Sequence, residues 1–184
     1  MFPNTFEQLN DDMNSTEQMK GLTVYQHGKM VSAEYEKLMF SLRKGTCEET
    51  VLQDVYNKAQ KFILDDNTVQ RYQVYHDCGK PYCRTVDVEG KVHFPDHANV
   101  SSAVWAKLFP GEYVIKELMR LDMMWHTISL QDADVFWTHN YAPTLYFTAY
   151  AEILANCQMF GGQDSTSFKI KRKKLLKCGK KFLK

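Results

Sequence analysis

Apolar side chains recur at intervals of three and four residues along most of the chain, which is the spacing of an amphipathic helix. The clearest case, 22–42, ends at Arg43-Lys44-Gly45, where cations occupy the last turn and a glycine follows it. Strand signals are weak outside 84–94, which predicts a small β-hairpin around Glu89-Gly90. The pattern therefore predicts an all-α protein with one hairpin. The other predicted helices span 46–63, 68–77, 97–108, 112–126, 130–139 and 144–160.

Neither an internal repeat nor a long linker divides the chain, so we expect one globular domain over 22–162. The preceding segment, 1–21, is rich in Asn, Asp, Ser and Gln and predicts a loosely ordered lead-in. The pair Gly161-Gly162 is expected to end the last long helix. Beyond it, 163–184 forms a basic C-terminal tail or helix.

The composition excludes several classes of protein. Of 184 residues, 44% are apolar and 13% aromatic, which excludes a wholly disordered chain. No apolar run is long enough for a transmembrane helix, and the first ten residues lack the basic and apolar regions of a secretory signal. Five scattered cysteines without a Cys-x-x-Cys pair favour reduced thiols. We therefore expect a cytoplasmic protein.

A net charge of +1 hides a strong asymmetry. Nine Lys or Arg and no acidic residue lie within 169–184, so the rest of the chain carries 14 basic and 22 acidic groups. Such a basic segment attracts polyanions such as nucleic acid, and the alternative is a solvated helix that keeps the protein soluble. The candidate nucleic-acid contacts are Lys169, Lys171, Arg172, Lys173 and Lys174.

The motif that points to chemistry is His76-Asp77-Cys-Gly-Lys-Pro. Imidazole and carboxylate are common ligands of divalent transition metals, and both can reach one ion near the end of a helix. Gly79 lets the chain turn sharply, and Lys80 then lies a few residues from the metal. A cation beside a metal is what a phosphate-bearing substrate needs. The motif therefore predicts a metal site that acts on an anionic substrate.

Together with the segment His93-Phe-Pro-Asp-His-Ala, this motif resembles the HD-domain metal-dependent phosphohydrolases, over about residues 22–160. The resemblance implies an HD-like helical bundle and one or two divalent ions, which could be Mn, Fe, Zn, Ni, Co or Cu. The family has an aspartate at the position of Glu152, so Asp122 and Asp134 are alternatives for the last ligand. The implied ligands are His27, His76, Asp77, His97, His126 and Glu152.

The resemblance also implies a reaction, the hydrolysis of a phosphate ester by metal-activated water. Asp77 would orient or deprotonate that water, and Lys80 would stabilise charge on the phosphate oxygens. Arg84 and His93 are further candidates for phosphate contact, with surface solvation as the alternative. The two motifs also look like those of HD domains that accompany polynucleotide kinases in RNA end healing. That similarity implies a terminal or 2′,3′-cyclic phosphate as substrate.

Three alternatives stay open at this stage. A free mononucleotide is the second candidate substrate, as in HD-type nucleotidases. Some HD-fold proteins instead hold a di-iron centre and act as oxygenases, and the additional histidines would serve such a centre too. A chain that kept the fold and lost the activity would be a non-catalytic nucleic-acid-binding protein, and the glutamate at 152 is consistent with that loss.

Overall fold

The structure is a computed structural model that describes residues 1–159 and 161–184. Short antiparallel strand pairs accompany the helices: β1 (Glu17–Met19) with β2 (Leu22–Thr23), and β3 (Thr85–Val86) with β4 (Val92–His93). A 3-10 turn, Gln60–Phe62, follows the third helix. The helices are α1 (Phe6–Ser15), α2 (Val24–Lys44), α3 (Thr50–Ala59), α4 (Asp66–Tyr75), α5 (Lys80–Cys83), α6 (His97–Leu108), α7 (Tyr113–Arg120), α8 (Met124–Thr127), α9 (Ala133–Phe136), α10 (Ala142–Met159) and α11 (Thr166–Leu183).

The chain forms two compact units, each assembled from two segments. The first unit comprises Met1–Lys29 and Asn67–Asp122, and the second comprises Met30–Asp66 and Met123–Lys184. Each unit has its own buried apolar residues, with Trp105 in the first and Phe147 in the second among the fully buried side chains. The division of the chain into a domain over 22–162 and two flanking segments stays a prediction.

The predicted fold class is confirmed, because the described residues are mostly helical and the predicted hairpin is present. Thr85 pairs with His93 and Val86 with Val92, so the turn lies at the predicted place. At its tip the Asp87 carboxylate accepts hydrogen bonds from the backbone N–H groups of Glu89 and Lys91.

The first 21 residues are not loosely ordered as expected, because they contain α1 and the strand β1, which pairs with β2 just beyond them. Leu9 and Met13, one helical turn apart, are fully buried. Helix α1 is fixed within the first unit by Tyr82, whose hydroxyl donates to the Asp12 carboxylate at 2.6 Å. Two buried side chains and these hydrogen bonds are sufficient to order a segment whose composition is otherwise polar.

One predicted helix is divided into two in the structure. The helix expected over 112–126 is interrupted after Arg120 by a turn through Leu121–Met123, and α8 then begins at Met124. Within that turn Asp122 is buried and accepts a hydrogen bond from the Tyr72 hydroxyl. The predicted end of the last long helix at Phe160 lies outside the described residues. Among the described residues, no helix has the length and apolar character needed to cross a membrane.

The basic segment is a helix that belongs to the second unit. Ser165 caps α11 by accepting from the backbone N–H of Phe168, whose side chain is buried. Leu175 is 2% exposed, and its carbonyl accepts a hydrogen bond from the Tyr146 hydroxyl at 3.1 Å. The Trp137 indole donates to the Cys178 carbonyl at 2.9 Å. Of the two possibilities for 163–184, the structure therefore has the helix, and one face of it is packed.

We expect Leu175→Ala to lower the free energy of unfolding by about 2–5 kcal/mol, because it leaves a cavity beneath α11. Ile170→Ala is the matched control on the same helix, since Ile170 is 64% exposed and should change stability by less than about 0.5 kcal/mol. Urea denaturation followed by circular dichroism measures both. Equal effects of the two changes would mean that α11 is not packed.

Candidate metal centre

Three helices bring the central residues of the motif together within the first unit. His27 lies on α2, His76 and Asp77 follow directly on α4, and His97 begins α6. His27, His76 and Asp77 are 0%, 2% and 1% exposed. One ligand atom from each of these three lies within 4.8 Å of the others, so the group could hold a metal ion. These three side chains thus meet in one buried place, although His27 is far in sequence from His76 and Asp77.

Two glycines allow the backbones that carry these residues to approach closely. A Cβ atom at Gly28 would lie 2.8 Å from the Val74 carbonyl carbon, so α2 and α4 pack at this point without an intervening side chain. A Cβ atom at Gly79 would lie 2.7 Å from the Val100 carbonyl carbon on α6. The Gly79 N–H also donates to the Ser101 hydroxyl at 2.8 Å. These contacts explain why glycine follows His27 and why it stands two residues after Asp77.

The side chains around the Asp77 carboxylate converge on its two oxygens. Oδ2 lies 3.2 Å from His76 Nε2 and 3.8 Å from His27 Nε2. Oδ1 lies 3.6 Å from His97 Nε2, and His97 is partly exposed. The His27 and His76 rings have their centroids 5.5 Å apart. The carboxylate is therefore surrounded by three imidazole edges.

Backbone carbonyls determine which ring nitrogen faces the centre. His76 Nδ1 lies 2.7 Å from the Gln73 carbonyl oxygen, and His97 Nδ1 lies 3.1 Å from the Phe94 carbonyl oxygen. Since a carbonyl oxygen only accepts, both Nδ1 atoms carry the proton when the rings are neutral, and Nε2 is left with a lone pair. Hydrogen bonds of this kind orient the histidine ligands of metals. The arrangement thus aims two Nε2 lone pairs at the centre.

Asp77 is held as a carboxylate. Burial by itself would raise its pKa, but the neighbouring His76 and Lys80 bring the pKa well below the usual value. Among the described residues, Oδ1 receives no hydrogen bond from any donor. A carboxylate oxygen and imidazole nitrogens are the ligand atoms that divalent transition metals take in proteins, so the group formed by His27, His76 and Asp77 could hold a metal ion.

Lys80 is 8% exposed and lies closer to Asp77 than the sequence suggested. Its Nζ atom donates to Asp77 Oδ2 at 2.6 Å and to Gln18 Oε1 at 3.0 Å. It also lies 5.4 Å from the centre of the Phe94 ring. Gln18, on β1, is a residue of the site that sequence reasoning missed. No local signal marks it, because its role depends on how β1 lies against α5.

The other predicted ligands divide into two groups. His126 and Glu152 belong to the second unit, where His126 Nε2 lies 2.7 Å from Glu152 Oε2. The two alternatives for the last ligand are engaged elsewhere: Asp122 accepts from the Tyr72 hydroxyl, and Asp134 pairs with Lys181 at 2.6 Å. The structure thus brings His126 and Glu152 together as a pair within the second unit, and their role as metal ligands stays a prediction.

The remaining predicted contacts with phosphate or nucleic acid lie at exposed places or are paired. His93 Nε2 lies 2.6 Å from Asp87 Oδ2 on the exposed hairpin, and this bond lowers the pKa of Asp87. Arg84 is exposed where α5 ends. On α11, Arg172 pairs with Glu49, and Lys174 Nζ donates to the His126 carbonyl at 2.7 Å. Lys171 and Lys173 are exposed.

No family model, curated protein or solved structure matches this chain. What the site can do therefore follows from its own groups. Two buried imidazoles and a buried carboxylate, with hydrogen bonds that orient the ligand atoms, suit a divalent transition metal such as Zn, Mn, Fe, Co, Ni or Cu. His97 Nε2 offers a further nitrogen on the side of Oδ1.

Proposed function

We propose that this protein is a metal-dependent phosphohydrolase acting on a phosphate ester of a nucleotide or of a nucleic-acid end. The observation that carries the proposal is the carboxylate of Asp77, which is surrounded by three imidazoles and touches a buried lysine. The imidazoles and the carboxylate suit a metal, and the lysine suits an anion. Metal-dependent hydrolysis of a phosphate ester uses both.

The metal would be held by His27, His76 and Asp77, with His97 as a further ligand. When bound, a divalent metal supplies Lewis acidity and lowers the pKa of water at the site toward neutrality. Asp77 Oδ1, which receives no hydrogen bond from the described residues, is the atom positioned to orient that water or accept its proton. Its low pKa keeps it ionised at neutral pH and favours orientation over long-lived protonation.

Lys80 would provide the positive charge for the phosphate oxygens. In the structure Lys80 Nζ donates hydrogen bonds to Asp77 and Gln18. A dianionic phosphate at the site would compete with these two residues for the same Nζ atom. Because the lysine is buried, its interaction with a developing negative charge is stronger than it would be in water. Gln18 limits the motion of Nζ and so keeps it close to the metal ligands.

The test of this proposal is a screen for released phosphate. The full chain, loaded separately with Mn²⁺, Zn²⁺, Fe²⁺, Co²⁺ and Ni²⁺, is incubated with oligonucleotides that end in a 2′,3′-cyclic, 3′- or 5′-phosphate and with free mononucleotides. We expect metal-dependent hydrolysis, with the oligonucleotide ends preferred. Hydrolysis of mononucleotides alone would favour a nucleotidase. Oxygen consumption by the iron form without hydrolysis would favour a di-iron oxygenase, and bound metal with neither reaction would favour a non-catalytic protein.

We expect Lys80→Ala to lower phosphate release by about 100-fold while the metal stays bound, because the change removes a group that stabilises charge rather than a ligand. Lys91→Ala, on the exposed hairpin, is the control and should leave the rate unchanged. Rates and metal content per chain are measured on the same samples. If Lys80→Ala loses metal in proportion to activity, the lysine serves to hold Asp77 in place and not to bind substrate.

A further inference from the structure

The outward face of α11 carries a continuous row of lysines. At 3.6 residues per turn, Lys169, Lys173, Lys177, Lys180 and Lys184 fall within an arc of about 80°, and all five are exposed. The row is about 22 Å long, since a helix rises about 1.5 Å per residue. It differs from the consecutive run of basic residues that the sequence suggested, because the helix separates neighbouring residues onto different faces.

The opposite face of α11 is packed, so the direction of the row is fixed. Phe168 and Leu175 are 6% and 2% exposed, and Cys178 is fully buried. Three other cations of the helix are held by the second unit: Arg172 by Glu49, Lys174 by the His126 carbonyl and Lys181 by Asp134. These cations help to dock the helix. The remaining cation, Lys171, is exposed but lies on a different face, so the row is the continuous line of cations left for another molecule.

The charges of the row are nearly unopposed. Lys169 pairs with the exposed Asp164 at 3.1 Å. For Lys173, Lys177, Lys180 and the side chain of Lys184, no ion pair or hydrogen bond is formed with any residue that the structure describes. No acidic residue occurs between 169 and 184. Holding like charges in a line on a rigid helix costs free energy, and a polyanion would recover it.

We propose that this lysine row binds a single nucleic-acid strand through its phosphates. A single strand carries a regular line of phosphates along its backbone, so a straight row of about 22 Å can follow several consecutive phosphates. An anionic membrane surface fits less well, because helices that bind membranes insert an apolar face, and that face of α11 is buried in the second unit. An acidic protein partner fits less well too, because protein interfaces have an apolar centre. Among the described residues of α11, Ile170 alone is a large apolar side chain that is mostly exposed.

This proposal rests on the proposed function, because it names a polynucleotide rather than a free nucleotide as the substrate class of the enzyme. Binding can still be measured without turnover. The probe is a single-stranded oligonucleotide of about 16 nucleotides that carries fluorescein on an internal base and hydroxyl groups at both ends, so it offers the enzyme no terminal phosphate. Fluorescence anisotropy with the full chain, at several KCl concentrations, gives the affinity and its salt dependence.

We expect Lys173→Ala/Lys177→Ala/Lys180→Ala to weaken binding at least about tenfold and to make the salt slope shallower by about two, which corresponds to about 0.7 per lost phosphate contact. The matched control, Lys20→Ala/Lys44→Ala/Lys116→Ala, removes the same charge outside α11 and should stay within about twofold of the parent. Circular dichroism verifies that both variants keep their helical content. Equal weakening by the two variants would mean that binding depends only on the net charge of the protein, and it would overturn the proposal.

Two further results would overturn the assignment: no binding of the oligonucleotide by the parent protein at low salt, or tighter binding to phosphatidylserine vesicles than to the oligonucleotide. Asp77→Asn separates this inference from the proposed function, because it should bind the oligonucleotide as the parent does. If every form lacks phosphohydrolase activity and the row still binds the strand, the enzyme proposal fails and the binding surface stands.

Discussion

Replacing Asp77 by asparagine is expected to lower phosphate release by more than about 100-fold. Loss of a group that merely orients a metal ligand already costs about 10–100-fold in metal affinity or activity, and Asp77 is itself a ligand candidate. The change removes the negative charge on which His27, His76 and His97 converge. It also leaves buried Lys80 without its anionic partner. Phosphate release from a metal-loaded sample measures the effect.

The control for this change is Asp87→Asn. Asp87 also pairs with a histidine, at 2.6 Å, but on the exposed hairpin. Asp87→Asn should therefore leave the rate of phosphate release within about twofold of the parent, because surface substitutions have small effects. Thermal unfolding of both variants shows whether a lost rate reflects a lost fold. An Asp77→Asn protein that remains folded and retains the parent's rate would remove the basis for the catalytic proposal.

The second large effect is expected at the two glycines that let the backbones meet. Gly28→Ala and Gly79→Ala should each lower the free energy of unfolding by about 3 kcal/mol, because the added methyl group meets backbone atoms that no side-chain rotation can move away. For a chain of this size, that lowers the midpoint of thermal unfolding by about 10 °C. Metal affinity should fall as well, since the helices that carry His27 and Asp77 would be pushed apart.

Gly111→Ala is the matched control for both glycines. A Cβ atom at Gly111 would have no other atom within 4 Å, and its backbone does not require a left-handed conformation. We expect this variant to be as stable as the parent or slightly more stable, because alanine restricts the unfolded chain. Differential scanning calorimetry compares the three variants. Equal midpoints for Gly28→Ala, Gly79→Ala and Gly111→Ala would show that the close approach of the helices is wrong.

Most of the helices could be predicted because their apolar spacing is a local property. Helix α1 was missed because its composition is polar and it buries few residues, Leu9 and Met13 among them. A signal was nevertheless present: Thr5 followed by Gln8 matches the capping pattern that begins many helices. In the structure Thr5 does accept a hydrogen bond from the Gln8 N–H at 3.1 Å. The break after Arg120 had no comparable signal, since the apolar spacing continues through it.

The centre of the site could be predicted from motif spacing, whereas its surroundings could not. His76, Asp77 and Lys80 lie within five residues, so any fold keeps them near one another. The approach of His27 depends on the contact between Gly28 and the backbone of Val74, which no pattern in either segment reveals. The sequence likewise does not reveal that Gln18 reaches Lys80 or which lysines of α11 are exposed, because both depend on which faces of the elements are packed.

The most direct test of the account is the metal content of the purified full chain. After equilibration with each divalent transition metal in turn and removal of excess ion, elemental analysis should find about one tightly bound ion for the site formed by His27, His76 and Asp77. His76→Gln should retain less than about a tenth of that amount. Loss of a hydrogen-bond partner that only orients a ligand already lowers metal affinity about 10–100-fold, and loss of the ligand itself should lower it at least as much. His93→Gln, on the exposed hairpin, should match the parent. A parent protein that binds none of these metals, or a His76→Gln protein that binds as much as the parent, would contradict the account.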